Sequence, residues 1–446
     1  MNSFISFSGT DFLFRFFPAF LAVYYLAGYK HRSKVLFFGS LVFYAMGEPL
    51  WTPVLFVLTA VNACFAKNSK TSKNALIIFD VSLLALFRAA SYFIPSFTMP
   101  LGVSFYILKM ISYQSDLYHG RIEEKPGFWD VAAYFTAFMH IPQGPIARYK
   151  ETVLYNREKH PFEMADMIEE GMLYIIAGLS LKLLLADRLG IMFSQISRIG
   201  YESISTPLAW LGAYGYSMQL YYDFWGYSLI AVGLGMMLGI PFIKNFEHPY
   251  AASCVADFYR RWHVSLGSFF KDYLYIPLGG NRDGKLKTIR NLVIVWIATG
   301  LWHGRGLHFM LWAGVLCLII IWEKYGIPEL IKKIPVIGRL HVLILIPLTW
   351  IIFAMPDMAG VGLYFSRLFP FFGEGINVNK LDILNIWESY YQYLICGALL
   401  CIPFFGRVVH KFRNSFLIKA AAFCLFWICI YVSVHSTGNT FLYIEF

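Results

Sequence analysis

Two histidines stand out by type and setting: His263 in FYRRWHVSLGSFFKDYLYIPLGGNRDG and His303 in TGLWHG, each directly after a tryptophan. The surrounding chain is mostly apolar, and an ionisable group kept inside a membrane protein is a candidate functional group, because burying it without a role is unfavourable. His303 lies at a turn flanked by Gly300, Gly304 and Gly306, where missing side chains permit tight reversal and close approach of a ligand. A neutral imidazole there can take a proton from a hydroxyl, a step worth about 10²- to 10⁴-fold in rate for a positioned base. A histidine that only hydrogen-bonds a helix end fits the same spacing, and spacing alone leaves both readings open.

His263 follows Arg260 and Arg261, and the segment continues through Lys271 and Asp272. Tyr259, Trp262, Leu266, Phe269, Phe270 and Tyr273 recur at helical spacing, which predicts one amphipathic helix with a basic edge. At a cytoplasmic surface such an edge can hold a phosphate-bearing donor through Arg260, Arg261 and Lys271, or it can attract anionic lipid. Lys182 and Asp187 in GLSLKLLLAD and Asp223 in YYDFWGYS read as structural charge pairing inside the membrane. Gly233, Gly235 and Gly239 fit close helix packing, since a nucleotide loop would need a preceding strand. No His-Glu-x-x-His, nucleophile-elbow or Walker pattern is present, and no metal site is expected.

The elements that position these groups follow from composition. The chain has 446 residues, 58% hydrophobic and 14% charged, with 42 Phe, 29 Tyr and 12 Trp. That excludes an ordinary soluble domain and fits an integral membrane protein of many spans. The net charge of +10 is scattered over short loops, which points to cytoplasmic loop bias and not to nucleic acid. Cys64, Cys317, Cys396, Cys401, Cys424 and Cys429 sit in apolar segments without metal-ligand or paired extracellular spacing and read as small core residues. Asp11 and Arg15, at and inside the first apolar segment, predict that this segment is retained and not cleaved as a signal peptide.

A helical crossing needs about 20 apolar residues. Apolar runs fall near 12–29, 35–46, 50–66, 75–97, 169–186, 207–226, 286–301, 307–322, 341–355, 390–405 and 415–434, while segments near 101–118, 131–146 and 227–242 carry Gly, Pro or charge. Short broken helices at membrane depth are tolerated where protein covers them or where they line a cavity. The expected fold is all-α, a single polytopic domain over residues 1–446 with about ten to twelve crossings around partly inserted helices. Basic loops after the first and third spans (Lys30, Arg32, Lys34; Lys67, Lys70, Lys73) read as cytoplasmic, as do those near 148–159, 282–290, 324–339 and 407–413. Both termini, including the tail 435–446, are then expected outside the cell (plasma or inner) membrane, with the count between Asp187 and Arg260 left open.

These motifs resemble the membrane-bound O-acyltransferase (MBOAT) superfamily, and within it the alginate O-acetyltransferase-like branch that acetylates exported or cell-wall polysaccharides. The likeness is carried by FLFRFFPAFLAVYYL, FYAMGEP, PLGVSFYILKMISYQSDLYHG, GPIARY, GLSLKLLLAD, YYDFWGYSLIAVGLG, DFYRRWHVSLGSFFKDYLYIPLGGNR and GLWHG, which cover most of the chain. One departure lies at Met139 and His140 in FMHIPQGPI. The resemblance implies helices ringing a funnel, with His303 as the catalytic histidine at its narrow base and His263 as a second family histidine near the cytoplasmic mouth. It implies a cytoplasmic acyl thioester, acetyl-CoA, as donor substrate, with no permanently bound cofactor. The implied partners are membrane lipid, an extracytoplasmic partner acyltransferase and a polysaccharide acceptor.

Phe441, Tyr443 and Phe446 form F-x-Y-x-x-F at the end of the sequence. This resembles a tail motif of the same branch and of the small partner peptide of teichoic-acid D-alanylation, which makes Tyr443 the expected acyl carrier. A phenol of pKa about 10 gives an ester that stays activated for a second transfer. The nearest rival is a D-alanyl transferase fed by a carrier protein. The rival from another class is a transporter or flippase, which predicts inverted repeats that the sequence does not display.

Overall fold

The computed structural model describes residues 6–94, 96–123, 125–152, 161–326, 334–371, 379 and 381–435. Tyr443 and the F-x-Y-x-x-F tail lie outside the described residues, so nothing structural bears on that expectation. Among the described residues every regular element is helical, as the apolar runs dictate. The chain divides into two units.

The first unit comprises Met1–Leu179, Tyr227–Lys244 and Phe426–Glu445. After one π-helical turn, Phe12–Phe16, it contains α1 (Phe17–Leu26), α2 (Arg32–Gly47), α3 (Thr52–Phe65), α4 (Lys70–Phe93), α5 (Val103–Tyr118), α6 (Phe128–Thr136), the single turn α7 (Tyr149–Thr152) and most of α8 (Pro161–Ser180). Its core is aromatic: Phe7, Phe16 and Phe20 set their rings edge-on to Phe138, at 6.3, 5.7 and 5.2 Å between centroids. Such edge-to-face pairs add about 0.5–1.5 kcal/mol beyond the buried area. Gly102 caps α5 with φ +67, and a Cβ there would stand 2.2 Å from the Ile141 carbonyl oxygen, so both conformation and space require glycine. Two helices meet at bare backbone where Gly171 faces Gly233, as the expectation of close packing at Gly233 requires: a Cβ on Gly233 would lie 2.4 Å from the Gly171 carbonyl oxygen.

The second unit comprises Ser180–Gly226 and Asn245–Leu425. Following a π-helical stretch, Leu181–Ala186, come α9 (Asp187–Ile199), α10 (Thr206–Met237, in this unit up to Gly226), α11 (Val255–Arg261), α12 (Val264–Phe270), α13 (Lys285–His303) and α14 (Leu307–Tyr325). Then follow α15 (Pro335–Ala354), α16 (Met358–Leu368), α17 (Asp382–Leu400), α18 (Pro403–Phe412) and α19 (Phe416–His435, in this unit up to Leu425). The segments 207–226 and 227–242, read separately in the sequence, are largely one 32-residue helix, because neither Gly226 nor Gly233 is followed by a residue that stops helical hydrogen bonding. The run expected at 390–405 is interrupted instead: α17 ends at Leu400 and α18 begins at Pro403, whose missing N–H suits a first turn. In this unit Lys182 Nζ lies 2.7 Å from carboxylate oxygens of both Asp187 and Asp223, the structural pairing expected of three ionisable groups in apolar surroundings.

Among the described residues four helices are long and apolar enough to cross a membrane: Lys70–Phe93, Leu307–Tyr325, Val336–Ala354 and Phe416–His435. Phe12–Leu26 and Thr52–Phe65 are shorter apolar helices. In α19 only Cys429 is buried, while Phe416 and Leu417 are 83% and 78% exposed. Apolar side chains displayed all round a helix need lipid as their solvent, and the protein is an integral membrane protein. The cysteines divide accordingly: Cys317 and Cys429 are buried core residues, whereas Cys64, Cys396 and Cys424 stand on exposed apolar faces. Their apolar setting was legible; which side of the helix they occupy was not.

Candidate active site

The segment read as one amphipathic helix from Tyr259 to Tyr273 is broken at His263. Helix α11 begins on Glu323, whose carboxylate accepts from the Val255 and Ala256 N–H groups at 2.6 and 2.9 Å, and it ends at Arg261. Trp262 is extended and His263 is left-handed, with φ 47° and ψ 53°, before α12 begins. The helical bonds lost at this break are replaced from a neighbouring extended segment: Glu247 N–H donates to the Arg261 carbonyl and Val264 N–H to the Asn245 carbonyl, both at 2.9 Å. A left-handed non-glycine residue is unfavourable by about 1–2 kcal/mol, so it persists where the surroundings over-determine it.

The same segment holds the His263 side chain. Asn245 Oδ1 lies 3.1 Å from His263 Nδ1, 3.3 Å from the Ser265 amide nitrogen and 2.8 Å from Ser265 Oγ. An amide N–H can only donate, so the Asn245 atom facing it is the oxygen, and His263 Nδ1 must carry its proton. The ring is 3% exposed, with Phe224 edge-on at 4.7 Å. It lies outside the apolar spans, and burial, then the nearby His303, hold its pKa well below the ordinary histidine value. His263 is therefore neutral at pH 7, with a lone pair on Nε2.

His303 is the last residue of α13, and its Nδ1 donates to the Thr299 carbonyl one turn back at 2.8 Å. A carbonyl only accepts, so this ring too presents its lone pair at Nε2 when neutral. Trp302, Trp312 and Phe353 enclose it at 4.7, 4.8 and 5.7 Å between centroids. The glycines that follow serve close packing: a Cβ on Gly304 would sit 1.9 Å from the Phe309 ring, and one on Gly306 2.1 Å from the His308 ring. Gly304 itself is fully extended, a conformation open to any residue.

Both imidazoles line one cavity of about 200 Å³. Tyr259, Trp262, Trp296 and Trp312 form its aromatic wall, and Leu266, Phe270, Leu292 and Val295 add apolar surface. Lys271, Tyr275 and Thr299 also contribute, with Lys271 exposed to the outside. An apolar pocket with a few convergent polar groups is the usual form of a small-molecule site. Two imidazoles in such a pocket can, when neutral, accept a proton from a hydroxyl and afterwards return it to a leaving thiolate.

Of the residues singled out in the sequence, His263, His303 and Lys271 come together on this cavity. The resemblance places the two histidines at a narrow base and a mouth; in the second unit both border one cavity. Arg260 and Arg261 do not line it, and both are engaged by Asp257 at 3.0 Å. Asn245, Ser265 and Thr299, which fix the two rings, escaped the sequence reading, as did the Trp296 and Trp312 wall. Nothing in the spacing of KNFEHPY announces that Asn245 meets a histidine 18 positions on.

A helical membrane protein with two imidazoles on one largely apolar cavity is equipped for acyl or proton transfer, and comparison with known proteins gives the class. The pattern of the MBOAT, membrane-bound O-acyltransferase family, matches residues 122–355, a stretch that contains both histidines. The chain is 32% identical to the probable alginate O-acetylase AlgI of Pseudomonas syringae pv. tomato, covering 82% of this chain and 75% of that protein. It is 31% identical to the peptidoglycan O-acetyltransferase of Helicobacter pylori, over 68% of this chain and 67% of that protein. Identity to the teichoic acid D-alanyltransferase of Bacillus subtilis is 28%, over 48% of this chain and 55% of that one. The chain belongs to the membrane-bound O-acyltransferase family. It is an O-acyltransferase.

Proposed function

We propose that this enzyme takes an acetyl group from acetyl-CoA on the cytoplasmic side of the cell membrane and delivers it outside for O-acetylation of an exported or cell-wall polysaccharide. The observation that carries the reading is the single cavity that His263 and His303 both line, each ring having its Nδ1 held by an oxygen acceptor. His303 is the general base. The hydroxyl oxygen of Tyr443 attacks the thioester carbonyl carbon while its proton passes to His303 Nε2. Collapse of the tetrahedral intermediate breaks the C–S bond, and the departing thiolate takes that proton back, leaving coenzyme A, acetyl-tyrosine and a neutral histidine.

His263 is a second acceptor in the same cavity, and Lys271, with Arg260 and Arg261, attracts the donor's phosphates. An extracytoplasmic partner acyltransferase then moves the acetyl group from Tyr443 to the polymer. About ten to twelve crossings ringing a funnel, with both termini outside, complete the proposal. The alginate- and peptidoglycan-acetylating relatives match more of the chain than the teichoic acid D-alanyltransferase does, which favours acetyl over D-alanyl as the group moved.

The test is incubation of purified protein with isotopically labelled acetyl-CoA, reading free coenzyme A and the mass of the C-terminal peptide. Release of coenzyme A with label on Tyr443 is expected. An unlabelled tail, together with full polymer acetylation by Tyr443→Phe, would remove the tyrosine relay. Turnover only of a D-alanyl carrier thioester would replace the donor.

A further inference from the structure

We infer that Asn245 is a positioning residue for acyl transfer: its side-chain oxygen fixes His263 in the Nδ1–H form and so leaves the lone pair on Nε2 of a ring that borders the substrate cavity. The inference rests on the functional reading above for its consequence in catalysis, but its structural core does not.

Asn245 grips the break between α11 and α12 twice. Its backbone carbonyl accepts from Val264 N–H at 2.9 Å, and its Oδ1 accepts from the Ser265 amide, the Ser265 hydroxyl and His263 Nδ1. Three donors converging on one oxygen leave no alternative amide orientation, because turning the NH₂ inward would oppose it to the Ser265 N–H. His263 Nε2 is buried and has no hydrogen-bond partner among the described residues. A buried acceptor left unmet costs about 1–3 kcal/mol, which a donor reaching it from the adjoining cavity would recover. The entering group must therefore offer an O–H or N–H at Nε2, as an acceptor hydroxyl or an amide of the donor's arm does. The groups around the ring leave this assignment intact: Ser265 Oγ, 3.5 Å from Nδ1, stands closer to Asn245 Oδ1 at 2.8 Å, while His303, Tyr259 and Lys271 line the same cavity and Phe224 and Trp302 set their rings against His263.

Without Asn245 Oδ1 the Nδ1 proton has no fixed acceptor, and the ring can place its proton on Nε2, where it can donate to a hydroxyl oxygen but no longer accept the hydroxyl's proton. The substitution Asn245→Asp keeps an oxygen in place but adds a negative charge, which favours the doubly protonated ring. An opposite charge at this range shifts a pKa by about 1–3 units, upward for an imidazole beside a carboxylate. Loss of the free lone pair then begins at higher pH, so the acid limb of the rate profile moves up by about that amount.

The decisive measurement is solid-state NMR of the full-length protein in lipid bilayers with isotope-labelled histidine, the His263 signal being identified by its loss in His263→Gln. The wild type is expected to show the Nδ1–H form, Ser265→Ala to keep it, and Asn245→Ala to shift His263 to a mixed or Nε2–H form. An Nε2–H ring in the wild type, or an unchanged ring in Asn245→Ala, overturns the inference whether or not acetyl-CoA is the donor. If Asn245→Ala does not fold, the wild-type signal and Asn245→Asp decide it, the latter being expected to carry a charged His263 to higher pH than the wild type. Coenzyme A release is the second readout: Asn245→Asp is expected to shift the acid limb, whereas a uniform loss at all pH values would mark Asn245 as merely structural. Failure of wild-type protein to release coenzyme A would count against the proposed donor while the NMR result still decides the role of Asn245.

Discussion

His263 stands at the break between α11 and α12 and His303 at the end of α13, yet each has its Nδ1 held by an oxygen acceptor, Asn245 Oδ1 at 3.1 Å and the Thr299 carbonyl at 2.8 Å. Both lone pairs therefore belong to Nε2, and both rings border the same cavity. One acceptor comes from a distant side chain and the other from the ring's own helix. The difference matters for robustness, since a main-chain carbonyl cannot be mutated away and Asn245 can.

Two groups that serve one transfer are expected to be non-additive. Removing either imidazole, by His303→Ala or His263→Ala, should lower coenzyme A release by about 10²- to 10⁴-fold, the usual worth of a positioned acid–base group. The double variant should fall little below the weaker single one, because residues acting as a unit lose most of their effect with the first removal. Initial rates on the four proteins check this. Losses that multiply would mean that the two rings act at separate steps.

The charge cluster around Lys182 is a matter of stability. Lys182 and Asp223 are each 2% exposed, and Asp187 is 15% exposed, with 2.7 Å contacts from the ammonium to both carboxylates. In Lys182→Met two carboxylates face each other uncompensated, a change of the kind that destabilises by about 3–5 kcal/mol. Asp223→Asn leaves the Lys182–Asp187 pair in place and should be milder. Thermal unfolding in detergent, followed by the monomer fraction on size exclusion, ranks the two; equal midpoints would show that the ammonium is not what holds this cluster.

Why some of this was legible and some not comes down to the range of the interactions. Helices announce themselves through composition, so α4, α14, α15 and α19 follow from runs of apolar residues, and the Lys182 cluster follows from the rarity of charge in such runs. The histidines were visible for the same reason. What spacing misread was the stretch after Tyr259, where helical periodicity continues straight through a left-handed residue. That break is imposed by hydrogen bonds from Asn245 and Glu247, a tertiary effect with no local trace. That Asp257 engages both Arg260 and Arg261 had no trace in the sequence either, where it reads as one more charge on the helix.

At Gly233 the limiting contact is main chain to main chain. Its Cβ position lies 2.4 Å from the Gly171 carbonyl oxygen, whereas the nearest atom to a Cβ on Gly235 is 3.6 Å away. Gly233→Ala should therefore force two helices apart, with a loss of about 1–3 kcal/mol or more, while Gly235→Ala is absorbed. Yield of monodisperse protein and its melting temperature separate the two variants. Equal tolerance would mean that the helices can part at this point without penalty.

Gly304 offers a sharper case, because the clash there is with a side chain that can itself be changed. A methyl group at this position would stand 1.9 Å from Cε2 and 2.2 Å from Cδ2 of Phe309, while the extended backbone of Gly304 raises no objection of its own. Phe309 packs on Phe353 at 4.9 Å, and Phe353 packs on His303 at 5.7 Å, so displacing the first ring moves the wall behind the base. Misplacing a reacting group by about 1 Å can lower a rate by about 10²-fold. Gly304→Ala should accordingly depress coenzyme A release to that extent, and adding Phe309→Leu should recover much of the loss by clearing the space. Phe309→Leu alone, which only trims the wall, should cost far less than Gly304→Ala. Rates for the two single variants and the double test this directly: a double variant no faster than Gly304→Ala would mean that the glycine is required for something other than room beside Phe309.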